Sequence, residues 1–299
     1  MRRNVYLCTF VLVAMLVCGT AQAEVIFQDN FNVSQNTVDI NNEWDQPARQ
    51  NGTAGHFWYE EYAGFKTGGT YEWVTQLTDR TAGTGDRFLN LRAADHSYYQ
   101  SKAQYVWAGI NHSFTEDSNI SIDFDFAMAL PGSDPNVSDE WVSITFGCNN
   151  TGTAHVPGQD WWGTAASVGN GLMITPTSCV MYEDGNYQNP VGTSALSDLA
   201  GSWHQGRIMI QSSAWGTAAT VTVFVDGQQQ MSYVRSSGFA NNYITLGSHG
   251  ITPANGPGFA ENGFDDLTIS TVPEPSGLCA MMFSIVGLVA SARRRLVRG

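Results

Sequence analysis

The stretch SIDFDFAM, Ser121–Met128, alternates apolar residues with small or acidic ones over its whole length. Successive side chains of a β-strand point to opposite faces of the sheet. We therefore expect the apolar set that begins at Ile122 to face a core, and Asp123 and Asp125 to lie on the other face. The stretch predicts a strand with one buried face.

Similar short runs recur along the chain, and clusters of Gly, Asn, Asp and Pro separate them as turns require. No long window repeats apolar residues at helical spacing. Many short strands with this punctuation favour an all-β protein, either an antiparallel sandwich or a barrel. The runs are Val25–Phe27, Trp141–Gly147, Gly171–Ile174, Arg207–Gln211, Thr220–Val225, Tyr243–Leu246 and Phe264–Ile269.

The first 23 residues have the features of a secretory signal peptide. Arg2 and Arg3 precede an apolar segment over residues 5–17, and Ala21-Gln22-Ala23 is a small-x-small cleavage site. We expect cleavage before Glu24 and export of the chain.

The last 28 residues, 272–299, combine three signals in a fixed order. Pro273, Glu274 and Pro275 come first, an apolar run over residues 277–292 follows, and an Arg cluster over 293–298 ends the chain. This order resembles the PEP-CTERM sorting tail of bacterial envelope proteins. The resemblance implies that a membrane protease-transpeptidase of the exosortase type recognises the Pro-Glu-Pro segment and processes the tail.

The apolar run of about 16 residues is close to the ~17–25 that a membrane-spanning helix needs. Arg293, Arg294 and Arg295 are expected to stay in the cytoplasm by the positive-inside bias, which leaves the upstream chain outside. The alternative to sorting and processing is an ordinary single-pass anchor. The protein is thus expected in the cell envelope, either anchored there or released to the surface or extracellular matrix.

The region between the two ends, residues 24–271, is strongly acidic. Six of the 14 Lys and Arg and one of the 27 Asp and Glu lie in the ends, which leaves eight basic and 26 acidic side chains and a net charge of −18. Such a domain repels phosphate backbones, so a nucleic-acid partner is not expected. Neutral sugars and polymers bridged by cations remain open as ligands.

Of the five cysteines, only Cys148 and Cys179 belong to this domain. In an oxidising envelope they are candidates for one disulfide. The alternative is a pair of buried free thiols.

Three motifs near the end of the domain occur in a characteristic order. Trp203-His204 comes first, an alternating strand follows, and a further strand ends at the hairpin signal Asp226-Gly227. This order resembles laminin-G and concanavalin-like domains over about residues 200–270. The resemblance implies an antiparallel β-sandwich jelly roll for 24–271, with the first strand pairing near the last. Residues 32–200 fit it only in composition and strand spacing.

Aromatic residues are the main candidates for ligand binding. Asp160, Trp161 and Trp162 lie together in a Gly-rich segment, and Trp58 and Tyr59 form a second cluster. Exposed rings beside carboxylates or amides stack on a sugar face and hydrogen-bond its hydroxyls. The alternative is that these rings cover the ends of the core.

Asp265 and Asp266 precede the last predicted strand, and Asp29 belongs to the first. If the two strands pair, these carboxylates form a candidate calcium site, since calcium prefers oxygen ligands. The alternative is that they form turns and cap strand ends.

No motif points firmly to catalysis. Concanavalin-like glycosidases place acids on one strand as Glu-x-Asp-x-x-Glu or Glu-x-Asp-x-Glu, whereas Asp123-x-Asp125 lacks a Glu partner. The histidines form no zinc-ligand pattern, and Gly-x-Ser-x-Gly is absent. We expect a non-catalytic polysaccharide-binding protein. The alternatives are a glycoside hydrolase or polysaccharide lyase on the same fold, and a structural or adhesive envelope protein that binds other proteins.

Overall fold

In a computed structural model, the chain forms antiparallel β-sheets. The structure describes residues 23–32, 38–39, 58–60, 65–67, 70–72, 75–93, 105–110, 112–115, 117–130, 140–148, 169–183, 189–249 and 260–272. The strands in these residues are β1 Val25–Asp29, β2 Val38–Asp39, β3 Trp58–Glu60, β4 Phe65–Thr67, β5 Thr70–Glu72, β6 Thr75–Asp79, β7 Arg87–Ala93, β8 Tyr105–Ile110, β9 Asn119–Ala127, β10 Trp141–Cys148, β11 Asn170–Thr175, β12 Ser178–Glu183, β13 Gly192–Ala195, β14 Trp203–Ser212, β15 Ala219–Val225, β16 Gln228–Arg235, β17 Tyr243–His249 and β18 Ala260–Thr271.

The strands are distributed over two large sheets and one hairpin. A nine-stranded sheet has the order β16-β15-β14-β9-β18-β7-β6-β2, with β1 also paired to β18. A seven-stranded sheet has the order β13-β12-β11-β10-β17-β8-β3, and β4 pairs with β5 alone. The inner faces of the two large sheets contribute to one buried hydrophobic cluster, for example Phe124 from the first and Ile144 from the second. The all-β, antiparallel architecture predicted from the sequence is therefore confirmed.

Strand β9 has the alternation predicted for Ser121–Met128. Ile122, Phe124 and Phe126 are buried in the core, whereas Asp123 and Asp125 are only partly buried. The neighbouring strand β14 carries Gly206 opposite Phe124, and a Cβ atom at Gly206 would lie 2.2 Å from the Phe124 ring. The missing side chain at Gly206 thus makes room for the ring.

Strand β18 changes its partner along its length. Residues 260–264 pair with β7, and residues 267–270 pair with β1. Asp266 lies between the two segments with a left-handed backbone (φ 47°). Phe264 and Leu267 are three residues apart yet both enter the core, so the extra residue acts as a β-bulge. The predicted pairing of the first strand with the last is confirmed.

Arg235 connects the two large sheets through polar contacts. It lies on β16, and its Nη1 donates to Asn170 Oδ1 and Glu183 Oε1 of the other sheet, both at 3.0 Å. Its Nε donates to the Gly238 carbonyl at 2.7 Å, and the guanidinium lies over the Phe239 ring. A guanidinium buried this deeply requires such partners.

The disulfide predicted between Cys148 and Cys179 is wrong, since both are buried free thiols. Cys179 packs in the hydrophobic core from β12. Cys148 pairs with Tyr243 after a register shift in β10, and Ile244 next to Tyr243 faces the core, so Cys148 belongs to the opposite face. Two thiols on opposite faces of a sheet cannot reach the geometry of a disulfide.

Residues Val25–Ser270 form one compact unit. The signal peptide, the Pro-Glu-Pro segment, the apolar run 277–292 and the Arg cluster lie outside the described residues. In the part of the chain that the structure describes, no helix has the length and apolarity needed to cross a membrane.

Replacing Arg235 by Met should lower the free energy of unfolding by about 3 kcal/mol. The Glu183 carboxylate would lose its cationic partner, and the Asn170 side-chain oxygen would lose its hydrogen-bond donor. The matched control is Arg207→Met, whose guanidinium pairs with Asp123 on the surface with a side chain 54% exposed. That change should cost at most about 1 kcal/mol. Urea unfolding followed by fluorescence measures both values, and equal losses would contradict the role given to Arg235.

Candidate functional site

The outer face of the seven-stranded sheet carries small and hydroxyl-bearing residues. We name the set Ser143, Thr145, Gly171, Thr245 and Gly247 the hydroxyl face. Each belongs to β10, β11 or β17 and alternates with residues that enter the core. The register pairs Thr145 with both Thr245 and Gly171, and Ser143 with Gly247. The five residues therefore form one patch two cross-strand rows deep.

The three hydroxyl groups of this patch are buried and lack strong protein partners. Ser143 and Thr145 are 0% exposed and Thr245 is 1% exposed. None of the three side-chain oxygens makes a hydrogen bond of normal geometry; the Cys148 thiol lies beside the Thr145 hydroxyl as a weak partner. Leaving such a group unpaired costs about 1–3 kcal/mol. Each is both a donor and an acceptor, so the patch is suited to a ligand rich in hydroxyl groups.

Aromatic residues border the hydroxyl face. Trp141 and His249 are cross-strand partners in the next row, and their rings stack in parallel with centroids 4.9 Å apart. Tyr182 pairs with Gly171 on the opposite side of the patch, and burial raises the pKa of its phenol. The arrangement places flat apolar surfaces beside hydrogen-bonding groups, which is the combination that sugar rings require.

The predicted ligand-binding residues differ in their position relative to the hydroxyl face. Tyr59 of β3 pairs with Gly109, which pairs with Thr245, so Tyr59 lies in a cross-strand row of the hydroxyl face. Trp58 pairs with Ile110, a core residue. Asp160, Trp161 and Trp162 lie outside the described residues, in the connection 149–168 between β10 and β11.

A charged cluster occupies the outer face of the nine-stranded sheet. Arg80 follows β6, and its Nη1 donates to Asp265 Oδ2 at 3.1 Å, while its Nη2 donates to Asp125 Oδ2 at 3.4 Å. The same guanidinium lies over the Trp203 ring, 4.1 Å from its centroid. Trp203 in turn contacts Phe88 edge-on above the Cα of Gly263. These residues form a second, smaller layer on the sheet.

Burial dominates the electrostatics of this cluster. It raises the pKa of Asp265 to about 7, even though Arg80 opposes the shift. Burial also raises the pKa of Asp125, again against the effect of Arg80. Two carboxyls that share one guanidinium in this environment are suited to holding the strands together.

The three acids predicted to bind calcium make other contacts. Asp265 pairs with Arg80, as described above, and Asp266 is exposed at the bulge. Asp29 is buried, and its Oδ1 accepts a hydrogen bond from the Phe31 backbone N–H at 2.7 Å. Within the described ranges, no three His, Cys, Asp or Glu side chains come together as a metal-binding group. The bond from Asp29 to Phe31 is the turn contact of the alternative, and the calcium site stays a prediction.

Glu140 is a second buried acid, located just before β10. It is 1% exposed, and neither carboxylate oxygen makes a hydrogen bond of normal geometry; the Ala129 backbone N–H lies near enough to oppose the effect of burial on its pKa. Burial raises the pKa of Glu140 to about 7. Its side chain is consequently neutral in mildly acidic solution and carries a buried charge without a cationic partner among the described residues at higher pH.

Comparison with known proteins gives structural similarity only. No protein-family model and no curated protein matches the chain. Solved structures that are similar include the endo-1,3-beta-glucanase from Streptomyces sioyaensis, with 13% identity, coverage of 85% of this chain and 99% of that one, and a TM-score of 0.49. The Emp47p carbohydrate recognition domain has 11% identity, coverage of 70% and 92%, and a TM-score of 0.44.

A further similar structure is the exoplasmic/lumenal domain of VIP36 bound to Ca2+ and Man3GlcNAc. It has 9% identity, coverage of 68% of this chain and 88% of that one, and a TM-score of 0.42. Because all three TM-scores are below 0.5, the architecture stated above rests on the sheets of this chain itself.

Replacing Glu140 by Gln should raise the unfolding temperature at pH 8 and change it little at pH 5. The pKa of Glu140 is about 7 in the folded protein and near 4.3 in the unfolded chain. The stability that protonated Glu140 contributes to the wild type is therefore fully present below pH ~4 and is lost as the pH rises through 7. Asp198→Asn removes one exposed charge and is the control. Calorimetric scans at both pH values measure the effect, and an equal shift at pH 5 and pH 8 would contradict it.

Proposed function

We propose that the protein binds an uncharged extracellular polysaccharide on its hydroxyl face. The observation that carries this proposal is the set of three buried hydroxyl groups of Ser143, Thr145 and Thr245, without hydrogen bonds of normal geometry, beside the Trp141–His249 stack. Because Ser143, Thr145 and Thr245 are at most 1% exposed, the site would have to open for a ligand to reach them. Sugar hydroxyls would then supply the missing hydrogen bonds, and a ring of the ligand would stack on the aromatic border. The architecture that presents this face is proposed to be a concanavalin-like, laminin-G-like jelly roll.

The charge of the domain defines the ligand class. With eight basic and 26 acidic side chains in residues 24–271, the protein repels sulfated and phosphorylated polymers. At the five positions of the hydroxyl face there is no carboxylate, so this patch supplies binding groups and no acid–base pair for glycoside cleavage. The proposed mechanism is therefore recognition without turnover at this face.

Asp160, Trp161 and Trp162 are proposed as additional ligand-binding residues. They lie in the connection 149–168. This connection joins β10 to β11, two of the strands that carry the hydroxyl face. Tyr59 is proposed to contribute through its position in the same cross-strand row. A calcium ion at Asp29, Asp265 and Asp266 stays a prediction, which binding assays with and without EGTA test.

We further propose that the chain is exported and sorted through its C-terminal tail. The support is the signal-peptide pattern of residues 1–23 and the order of Pro-Glu-Pro, apolar run and Arg cluster in 272–299. The partners of this step would be the membrane and an exosortase-type enzyme.

Replacing Thr145 and Thr245 together by Val should weaken binding of neutral polysaccharide by about tenfold or more. Valine has nearly the same shape, but it removes two hydroxyl groups that are proposed to bond the ligand. Because neither hydroxyl makes a hydrogen bond of normal geometry and the Cys148 thiol beside Thr145 is a weak partner, the variant should be about as stable as the wild type. Binding of the full-length protein to a panel of bacterial and algal polysaccharides, followed by titration calorimetry, measures the change.

The matched control is Thr222→Val in β15, whose hydroxyl bonds Ser232 on the exposed face of the other sheet. This change should leave affinity intact. Trp161→Ala combined with Trp162→Ala tests the additional contacts in the same assay. Unchanged affinity of the Thr145/Thr245 variant would reject the hydroxyl face as the binding site. Loss of affinity only in the tryptophan variant would move the site to the 149–168 connection.

Replacing Pro273, Glu274 and Pro275 by Ala should keep the tail attached to the chain, because the recognition segment is lost. In a host with an exosortase-type enzyme, the wild type should lose its C-terminal Arg cluster while the variant retains it in the membrane fraction. Cell fractionation and mass spectrometry of the mature C-terminus measure both. Identical processing of the two proteins would contradict the sorting proposal.

A further inference from the structure

Three side chains at one end of β14 form a continuous hydrogen-bonded chain. Ser202 Oγ lies 2.8 Å from His204 Nε2, and His204 Nδ1 lies 2.8 Å from Asp226 Oδ2. Ser202 is exposed, whereas the His204 side chain is only 14% exposed. The order of groups is hydroxyl, imidazole and carboxylate, which is the order of nucleophile, base and orienting acid in acyl-transfer enzymes.

The local sequence explains how these groups meet. Ser202 and His204 are two residues apart at the start of a strand, so their side chains point to the same side. Trp203, between them, points to the other side and contacts Arg80. The segment Ser-Trp-His therefore presents the hydroxyl directly to the imidazole.

The hairpin between β15 and β16 supplies the carboxylate. Asp226 is its first turn residue and has a left-handed backbone (φ 48°). The Asp226 N–H donates to the Gln205 carbonyl at 2.8 Å, and Asp226 Oδ1 accepts from the Gln205 N–H at 2.9 Å. These two bonds attach the turn to β14 beside His204. Asp226 Oδ2 is left directed at the imidazole.

The hydrogen bonds define the tautomer of the imidazole. A carboxylate accepts only, so His204 Nδ1 carries the proton that bonds Asp226 Oδ2. In the neutral imidazole, His204 Nε2 then has a free lone pair and accepts the hydrogen bond of the Ser202 hydroxyl. This is the arrangement in which a histidine can remove the serine proton.

We propose that Ser202, His204 and Asp226 form a hydrolytic triad that cleaves carboxylic esters with short acyl groups. Ser202 Oγ attacks the ester carbonyl and forms a C–O bond while its proton moves to His204 Nε2. The tetrahedral intermediate expels the alcohol, which takes this proton, and leaves an acyl group on Ser202. Water then attacks the acyl carbonyl, gives a proton to His204 and releases the acid, and His204 returns the proton to Ser202 Oγ. Asp226 is the positioning residue.

The surroundings of Ser202 set the substrate class and the expected rate. Ala200 and Gly201 precede it, so the chain beside the hydroxyl is small, and a short acyl group such as acetyl meets no obstacle from these residues. The Gly201 N–H already donates to the Met128 carbonyl at 2.8 Å and is not available to an oxyanion. Water must therefore solvate the oxyanion at this exposed serine, so turnover is expected to be slow and trapping of the acyl group is the sensitive measurement.

This site is separate from the proposed glycan-binding face. The triad belongs to β14 and the β15–β16 hairpin of the nine-stranded sheet, whereas the hydroxyl face belongs to the seven-stranded sheet. The inference goes beyond the proposed function and does not depend on it. Either activity can fail in an assay without affecting the other.

The test uses the purified full-length protein with p-nitrophenyl acetate and a fluorophosphonate probe. We expect the probe to modify Ser202, as located by peptide mass spectrometry, and a 42 Da acetyl adduct on the same residue after reaction with the ester. Ser202→Ala and His204→Ala should each lower turnover by about a hundredfold. Asp226→Asn keeps an oxygen acceptor for the Gln205 N–H and should lower kcat about tenfold with little change in KM.

The matched control is Ser213→Ala, which removes another exposed serine hydroxyl just after the far end of β14 and should leave turnover and labelling unchanged. Thermal unfolding of each variant identifies any that fail to fold. Labelling of Ser202 together with loss of turnover in Ser202→Ala supports the triad. Turnover that survives Ser202→Ala but is lost in His204→Ala overturns it, because an imidazole acting alone requires no serine, and so does the absence of label on Ser202.

Discussion

The structure depends on the strict alternation of side chains that lets two sheets share one core. In β10, Val142 and Ile144 enter the core, so Ser143 and Thr145 must point away from it. A register slip of one residue would exchange the two sets completely. The hydroxyl face is thus a consequence of the pattern that builds the core, since each apolar residue facing inward places its neighbour on the outer surface.

The same rule gives β14 two different environments on its two sides. Trp203 lies on the outer side under Arg80, while His204 lies on the other side with its ring 5.8 Å from that of Phe126. The sheet therefore separates the Arg80 cluster on its outer face from the hydrogen-bonded side chains of His204 and the exposed Ser202. One continuous strand aligns both, and the Asp226 turn adds the carboxylate from the neighbouring hairpin.

The sequence predicts those parts of the fold in which a local pattern and the tertiary environment agree. The hairpin at Asp226-Gly227 has positive φ at both residues, 48° and 73°, as its turn signal indicates. Strand β16 begins with three glutamines and alternates weakly, so periodicity does not identify it. The site is harder to predict, because Thr145 and Thr245 become neighbours only through the β10–β17 register. The alternation of hydroxyl and apolar residues in both strands was the available signal, and it does not distinguish a binding face from a solvent face.

Burial distinguishes what the two polar regions can do chemically. The hydroxyl groups of Thr145 and Thr245 are buried and have no basic group bonded to them, so no neighbour can remove their protons and make them nucleophiles. Ser202 is exposed and bonded to an imidazole whose other nitrogen faces a carboxylate. A hydroxyl group becomes a nucleophile only when a neighbouring base accepts its proton. The proposed binding face and the proposed triad consequently differ in the partners of their hydroxyl groups, and the residue type alone would not separate them.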